Sequence, residues 1–108
     1  MKIAISKTIY DENSTEQIPL IINNINVGTY SLGTYSKWYL KRLDNGERTI
    51  PNVGKFVAGL ILKEYEIDIR DLTDSAHDNN TLKVVLQKMN CASIGEWFES
   101  YMIQEMKN

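Results

Sequence analysis

A chain of 108 residues, 43% hydrophobic and 24% charged, is the size of one globular domain, and its formal charge of −2 excludes the strongly basic balance that marks a nucleic-acid protein by composition alone. A single cysteine, Cys91, excludes an internal disulfide, and with only one histidine, His77, no Cys/His metal set can be assembled. No stretch reaches the roughly 20 consecutive apolar residues of a membrane span, and the N-terminus lacks the order of a secretory signal, so a cytoplasmic protein is expected.

In chain order, KIAISKTIY at residues 2–10 alternates partly and predicts a short strand or extended arm. DENST breaks the pattern. Ser14 or Thr15 can cap a helix over QIPLIINNI, whose apolar face would be Ile18, Ile21, Ile22 and Ile25. INVGTYSLGTYS is ambiguous between strand and helix, with a short second helix ending near Gly33 slightly favoured. Ser36 then reads as the N-cap of a helix from about Lys37 to Asp44, stopped by Asn45-Gly46.

Pro51 suits the start of the next helix, in which Val53, Phe56, Val57, Leu60 and Ile61 recur at helical spacing toward Lys63 or Tyr65. IDIRDL supplies Ile67, Ile69 and Leu72 as a short helix or a turn with apolar anchors, and DSAHDNN is a polar break. Two amphipathic segments close the chain. The first carries Leu82, Val85, Leu86 and Met89; the second carries Ile94, Trp97, Phe98, Tyr101 and Met102, and Ser93 with Glu96 forms a capping box at its start.

Charge is unevenly distributed. Residues 36–55 hold Lys37, Lys41, Arg42, Arg48 and Lys55 against Asp44 and Glu47, a local +3 that leaves −5 on the remainder. A basic face on an acidic body can dock on phosphate while limiting nonspecific binding. If Leu40 and Leu43 anchor the helix after Ser36, its cations and the Trp38 indole face outward, as a helix entering a major groove requires. If Trp38 is core instead, the outward set becomes Lys37, Lys41 and Arg42.

The same stretch resembles the Cro and phage-repressor helix-turn-helix proteins. Ser36, Tyr39, Leu40, Leu43, Asp44, Asn45, Gly46, Arg48 and Pro51 stand where that family has its opening serine, paired aliphatics, acidic residue, Asn-Gly, basic residue and helix-starting proline. The resemblance covers residues 15–72 and implies a mostly α fold: a helix-turn-helix bundle with an N-terminal strand or arm and a two-helix C-terminal extension at residues 80–106, all in one domain. It further implies sequence-specific double-stranded DNA binding by a homodimeric repressor. Lys37, Trp38 and Lys41 would read base edges, and Ser36, Arg42, Asn45 and Arg48 would contact phosphates. Trp97, Phe98, Tyr101 and Met102 would combine core and dimer-interface roles.

The alternative comes from another class: a small phage-type protein that keeps an eroded helix-turn-helix scaffold and inhibits a host protein, in the manner of some anti-CRISPR proteins. No enzyme is expected, because no nucleophile and base pair stands out, and no cofactor is implied. Asp68, Asp71, Asp74 and Asp78 lack the spacing of a calcium loop and read as a solvated face, while Gly28 and Gly33 lack a P-loop's GK[ST]. Cys91 reads as a small half-buried apolar residue rather than a reactive thiol.

Overall fold

A computed structural model describes residues 11–49, 52–72 and 80–107. The expected strand at residues 2–10, Pro51 and most of the polar break, with His77, lie outside them. The described chain is mostly helical, with one short antiparallel sheet: β1 (Gln17–Ile22), β2 (Ile25–Ser31), α1 (Leu32–Asp44), α2 (Val53–Tyr65), a 3₁₀ turn (Ile69–Asp71), α3 (Asn80–Met89) and α4 (Ile94–Lys107).

The first helix expected from the sequence is therefore a β-hairpin. Ile22 pairs with Ile25 around Asn23-Asn24, and both asparagines have positive φ, 53° and 67°. That is the conformation of a two-residue hairpin turn whose twist matches the strands, and asparagine is among the few residues that adopt it readily. Along β1, Leu20 and Ile22 are buried and Ile18 is half-buried, the period-two pattern of a strand with one face on a core.

The ambiguous segment holds no helix ending near Gly33: Ile25–Ser31 is β2 and residues 32–36 open α1, and the strand's pattern is irregular for a physical reason. The register shifts by one residue between Pro19↔Thr29 and Ile21↔Asn26, so Val27 and Gly28 together oppose Leu20. This bulge lets Val27 and Tyr30, three residues apart, both face inward. Gly28 takes φ +119° at the bulge, and the Asn26 side chain accepts its N–H at 3.0 Å.

Helix α1 begins five residues earlier than expected. Ser31, not Ser36, is its N-cap: its Oγ accepts the Thr34 N–H at 3.2 Å, while its own N–H donates to Glu99 Oε1 of α4 at 2.8 Å. Leu32, Tyr35, Ser36 and Tyr39 form the buried stripe at helical spacing, with Trp38 beside it. Leu40, expected as an anchor, is only half-buried. The stop is as expected from Asn45-Gly46: the Gly46 N–H donates to Leu43 O at 3.0 Å and the Glu47 N–H to Arg42 O at 2.9 Å, with Gly46 at φ +103°.

The later elements follow their sequence signals closely. Asn52 caps α2 through the Lys55 N–H, and Val57 and Ile61 are buried along it. In the 3₁₀ turn, Ile69 and the following Leu72 anchor the core, and the Asn23 side chain of the hairpin turn donates to the carbonyls of Arg70 and Leu72. Ser93 Oγ accepts the Glu96 N–H at 3.1 Å, and the Glu96 carboxylate returns to the Ala92 N–H at 3.0 Å, the expected capping box with its second bond one residue back.

One continuous core draws on both strands, all four helices and the 3₁₀ turn. Helix α4 lies at its centre, with Ile94, Phe98 and Met102 fully buried, and packs against β2 and α1. The approach is backbone to backbone. A Cβ on Gly95 would stand 2.5 Å from both Thr29 N and Thr29 O, and one on Gly28 would stand 2.5 Å from Ser93 Oγ. Gly54 meets the Ile21 carbonyl in the same way, so α2 crosses β1 as closely as α4 crosses β2.

Two glycines in helices thus have opposite sensitivities. Gly95→Ala should lower the unfolding free energy by about 2 kcal/mol or more, because backbone must move. Gly59→Ala, whose Cβ meets nothing within 4 Å, should raise it by about 0.5–1 kcal/mol through helix propensity. Urea unfolding of both variants measures the contrast.

Candidate functional site

The residues singled out as a DNA-reading set separate into two groups. Ser36 and Trp38 are 0% and 1% exposed, so neither side chain is placed to meet a base or a phosphate. Both lie on the side of α1 that is packed into the core. Lys37, Lys41, Asn45 and Arg48 are exposed, and Arg42 is half-buried. The arrangement is the one in which Trp38 is core and Lys37, Lys41 and Arg42 form the outward set.

Trp38 lies in a nest of rings: Tyr35 at 5.7 Å, Phe56 at 5.5 Å and Phe98 at 5.7 Å between centroids, the last nearly perpendicular. A buried indole N–H needs an acceptor. Trp38 Nε1 donates to Glu105 Oε1 on α4 at 2.6 Å, and the other oxygen of the same carboxylate accepts from Tyr101 Oη at 2.9 Å. Arg42 covers the assembly, its guanidinium 4.7 Å from the Trp38 ring centroid and 5.2 Å from that of Phe56. Both are within the range of cation–π attraction.

Around this assembly the ends of α1 and α4 enclose a cleft of about 320 Å³. Its apolar floor is Trp38 and Met106; Lys41, Arg42 and Asn45 come from the end of α1, Glu47 from the following turn, and Glu105 from α4. Lys41 Nζ donates to the Met106 carbonyl at 3.0 Å, placing a cation on the negative end of α4. Arg42 Nη2 reaches Glu47 Oε1 at 3.3 Å, whereas Arg42 Nε is buried with no acceptor among the described residues. Cations and anions alternate here. A phosphate-tracking face is predominantly basic.

The sequence reading missed Glu105, Met106, Phe56 and Glu47 as members of this site. Glu105 is 67 positions from Trp38 and no local pattern joins them. Glu47 had a usable signal: the Asn45-Gly46 turn reverses the chain, which returns Glu47 to Arg42.

The expected dimer-interface residues also divide. Phe98 and Met102 are fully buried within the chain, so they form core and present no surface to a second copy. Trp97 and Tyr101 are half-buried and stack on each other at 5.9 Å, with Tyr65 closing over Trp97 at 6.2 Å. Cys91 sits at the α3–α4 turn, where burial and the Glu96 carboxylate push its thiol above the ordinary value, away from reactivity. Asp68 is paired with Arg70 through two oxygens at 2.9 and 3.1 Å, which holds its carboxyl below the ordinary range. Among the described residues no group of three His, Cys, Asp or Glu could hold a metal ion, and no helix is long and apolar enough to cross a membrane.

Compared with known proteins, the chain matches no protein-family model, no curated protein and no solved structure.

Burial gives the aromatic cluster a pH signature. Desolvation raises Tyr30 and Tyr35, and desolvation followed by the hydrogen bond to Glu105 pushes Tyr101 from 10.0 up to about 12. A phenol whose folded value is raised favours folding fully below its unfolded value, and that contribution is lost as pH rises through the folded value. Stability should hold up to about pH 10 and fall steadily toward pH 12. Tyr101→Phe should shallow that alkaline slope, as measured by urea midpoints across the range.

Proposed function

We propose that this chain is a non-catalytic module that binds another protein, with the cleft between the ends of α1 and α4 as its contact. The observation that carries this reading is the composition of the cleft: a half-buried methionine, an arginine held over the rings of a buried tryptophan and a phenylalanine, and charges of both signs around them. Methionine and arginine side chains are enriched at protein interfaces, and arginine is among the anchors that dominate their energetics. An inhibitor of a host protein, the alternative raised by the sequence, is one member of this class.

The placement of Trp38 weighs on the same side. A helix whose central aromatic donates inward to Glu105 has lost its largest candidate for base contact. In the helix-turn-helix frame, β2 precedes α1 where a first helix is needed. The α3–α4 pair, joined by residues 90–93, offers little more, because α4 turns Glu96, Ser100 and Gln104 outward and carries its only cation, Lys107, at its end.

The second reading, a cytoplasmic homodimeric repressor on double-stranded DNA, is favoured by the exposure of Lys37, Lys41 and Arg48. It needs those cations to contact phosphate without help from Trp38 or Ser36.

The discriminating experiment has two parts. Purified protein is first offered a pool of randomised duplexes at low and high salt. Protein carrying a photo-crosslinking residue at the exposed Asn45 is then irradiated in its producing cell. The protein-binding reading expects no duplex enrichment and one protein adduct that also forms as a stoichiometric, salt-resistant complex from purified components. Enrichment of a palindromic duplex by a dimer would overturn it.

A further inference from the structure

We infer that Arg42 is the anchor of the cleft, built to receive an aspartate or glutamate side chain of the partner protein, and that Glu47 holds this place in the free chain. The inference rests on the protein-binding reading above.

The guanidinium is already fixed. Trp38 and Phe56 hold it on their faces, so a partner's carboxylate would not have to order a flexible side chain on binding. What it presently holds is a poor match. Arg42 and Glu47 are 3.3 Å apart, beyond the roughly 2.7–2.9 Å of a tight charge-assisted bond. Glu47 stands in the turn after α1 with its side chain 49% exposed, against 21% for Arg42, so the pair is partly solvated and weak.

The donor inventory explains what is missing. Nε and Nη2 form one edge of a guanidinium, matched in spacing to the two oxygens of a carboxylate. Here Glu47 takes Nη2 with one oxygen, and Nε is buried without an acceptor among the described residues. A carboxylate that displaces Glu47 can take Nη2 at closer range, and it reaches the covered Nε as the side chains over that atom give way. Glu105 cannot do this from inside, because its two oxygens already accept from Trp38 and Tyr101. Lys41, exposed at the rim, adds a second cation for the incoming charge, and the half-buried Met106 supplies an apolar wall for the residue beside it.

Glu47 is suited to leave. Its backbone N–H is tied to Arg42 O at 2.9 Å by the helix stop, so the carboxylate can swing into solvent without unravelling α1.

The test uses the full chain and a blocked dipeptide, Ac-Leu-Glu-NH2, as probe, followed by NMR of the Arg42 Nε–H, the Asn45 side-chain amide and the Trp38 indole N–H. Expected are saturable shifts at all three, none with Ac-Leu-Gln-NH2, and affinity raised by about threefold or more in Glu47→Gln, where the internal competitor is neutral. Arg42→Lys should abolish the shifts, and Glu47→Gln, an exposed change, keeps the test independent of any folding defect in that variant. Absence of saturation up to the probe's solubility, equal binding of the glutamine probe, or no gain in Glu47→Gln would overturn the inference, as would the same shifts produced more tightly by duplex DNA. If the cellular crosslink at Asn45 forms equally in wild type and Arg42→Lys, the protein-binding reading stands and the carboxylate site falls.

Discussion

The indole of Trp38 is the point at which three helices are held together. Its ring touches Tyr35 of its own helix, Phe56 of α2 and Phe98 of α4, and its N–H is committed to Glu105 near the far end of α4. Removing such a group from a core typically costs about 3–5 kcal/mol through lost burial and the cavity left behind, a large share of the stability of a small domain. The hydrogen bond adds a directional demand. Glu105 must sit where the indole points, and Tyr101 steadies it from one turn earlier on the same helix. Arg42 then has one favourable place, over the two rings, and the cleft at the helix ends follows from that placement.

The opposite end of α4 is fixed by an absence of side chains. Gly95 and Gly28 allow the first turn of the helix to lie against the bulge of β2, and the Ser93–Glu96 box satisfies the helix N-terminus at the same point. Glu99 binds the Ser31 N–H between these two ends, at the junction where strand becomes helix. Helix α4 is thus tied at its start by close backbone approach, in its middle by the β2–α1 junction and near its end by Trp38. What the sequence suggests as an extension is the element around which the hairpin and α1 are arranged.

Much of the second half of the chain was legible beforehand. Helices α2, α3 and α4 carry one dominant period, α4 opens on the Ser93–Glu96 box, and the short IDIRDL element supplies its apolar anchors. The first half departs from its sequence signals for reasons that lie in particular residues. In QIPLIINNI, isoleucines fit helical spacing as well as alternation, and the decisive features were Pro19 inside the proposed helix and the Asn23-Asn24 turn. In β2 the bulge breaks the period that would have identified a strand. At α1, Ser36 has the side chain of a cap but lies inside a helix that Ser31 opens, and the local pattern leaves two orientations of Trp38 open. Only contacts 60 or more residues away, to Glu99, Glu105 and Met106, decide between them.

The functional reading turns on which way Trp38 faces. With Trp38 inward, the basic stretch is one wall of a mixed-charge cleft; with Trp38 outward, it is a candidate groove reader. The measurement that separates them most directly is the fluorescence of Trp38 in a Trp97→Phe variant, the only other tryptophan being removed. The structure predicts blue-shifted emission that resists an aqueous quencher and does not change when duplex DNA is added. Red-shifted emission that is freely quenched, and altered by DNA, would contradict the account at its centre.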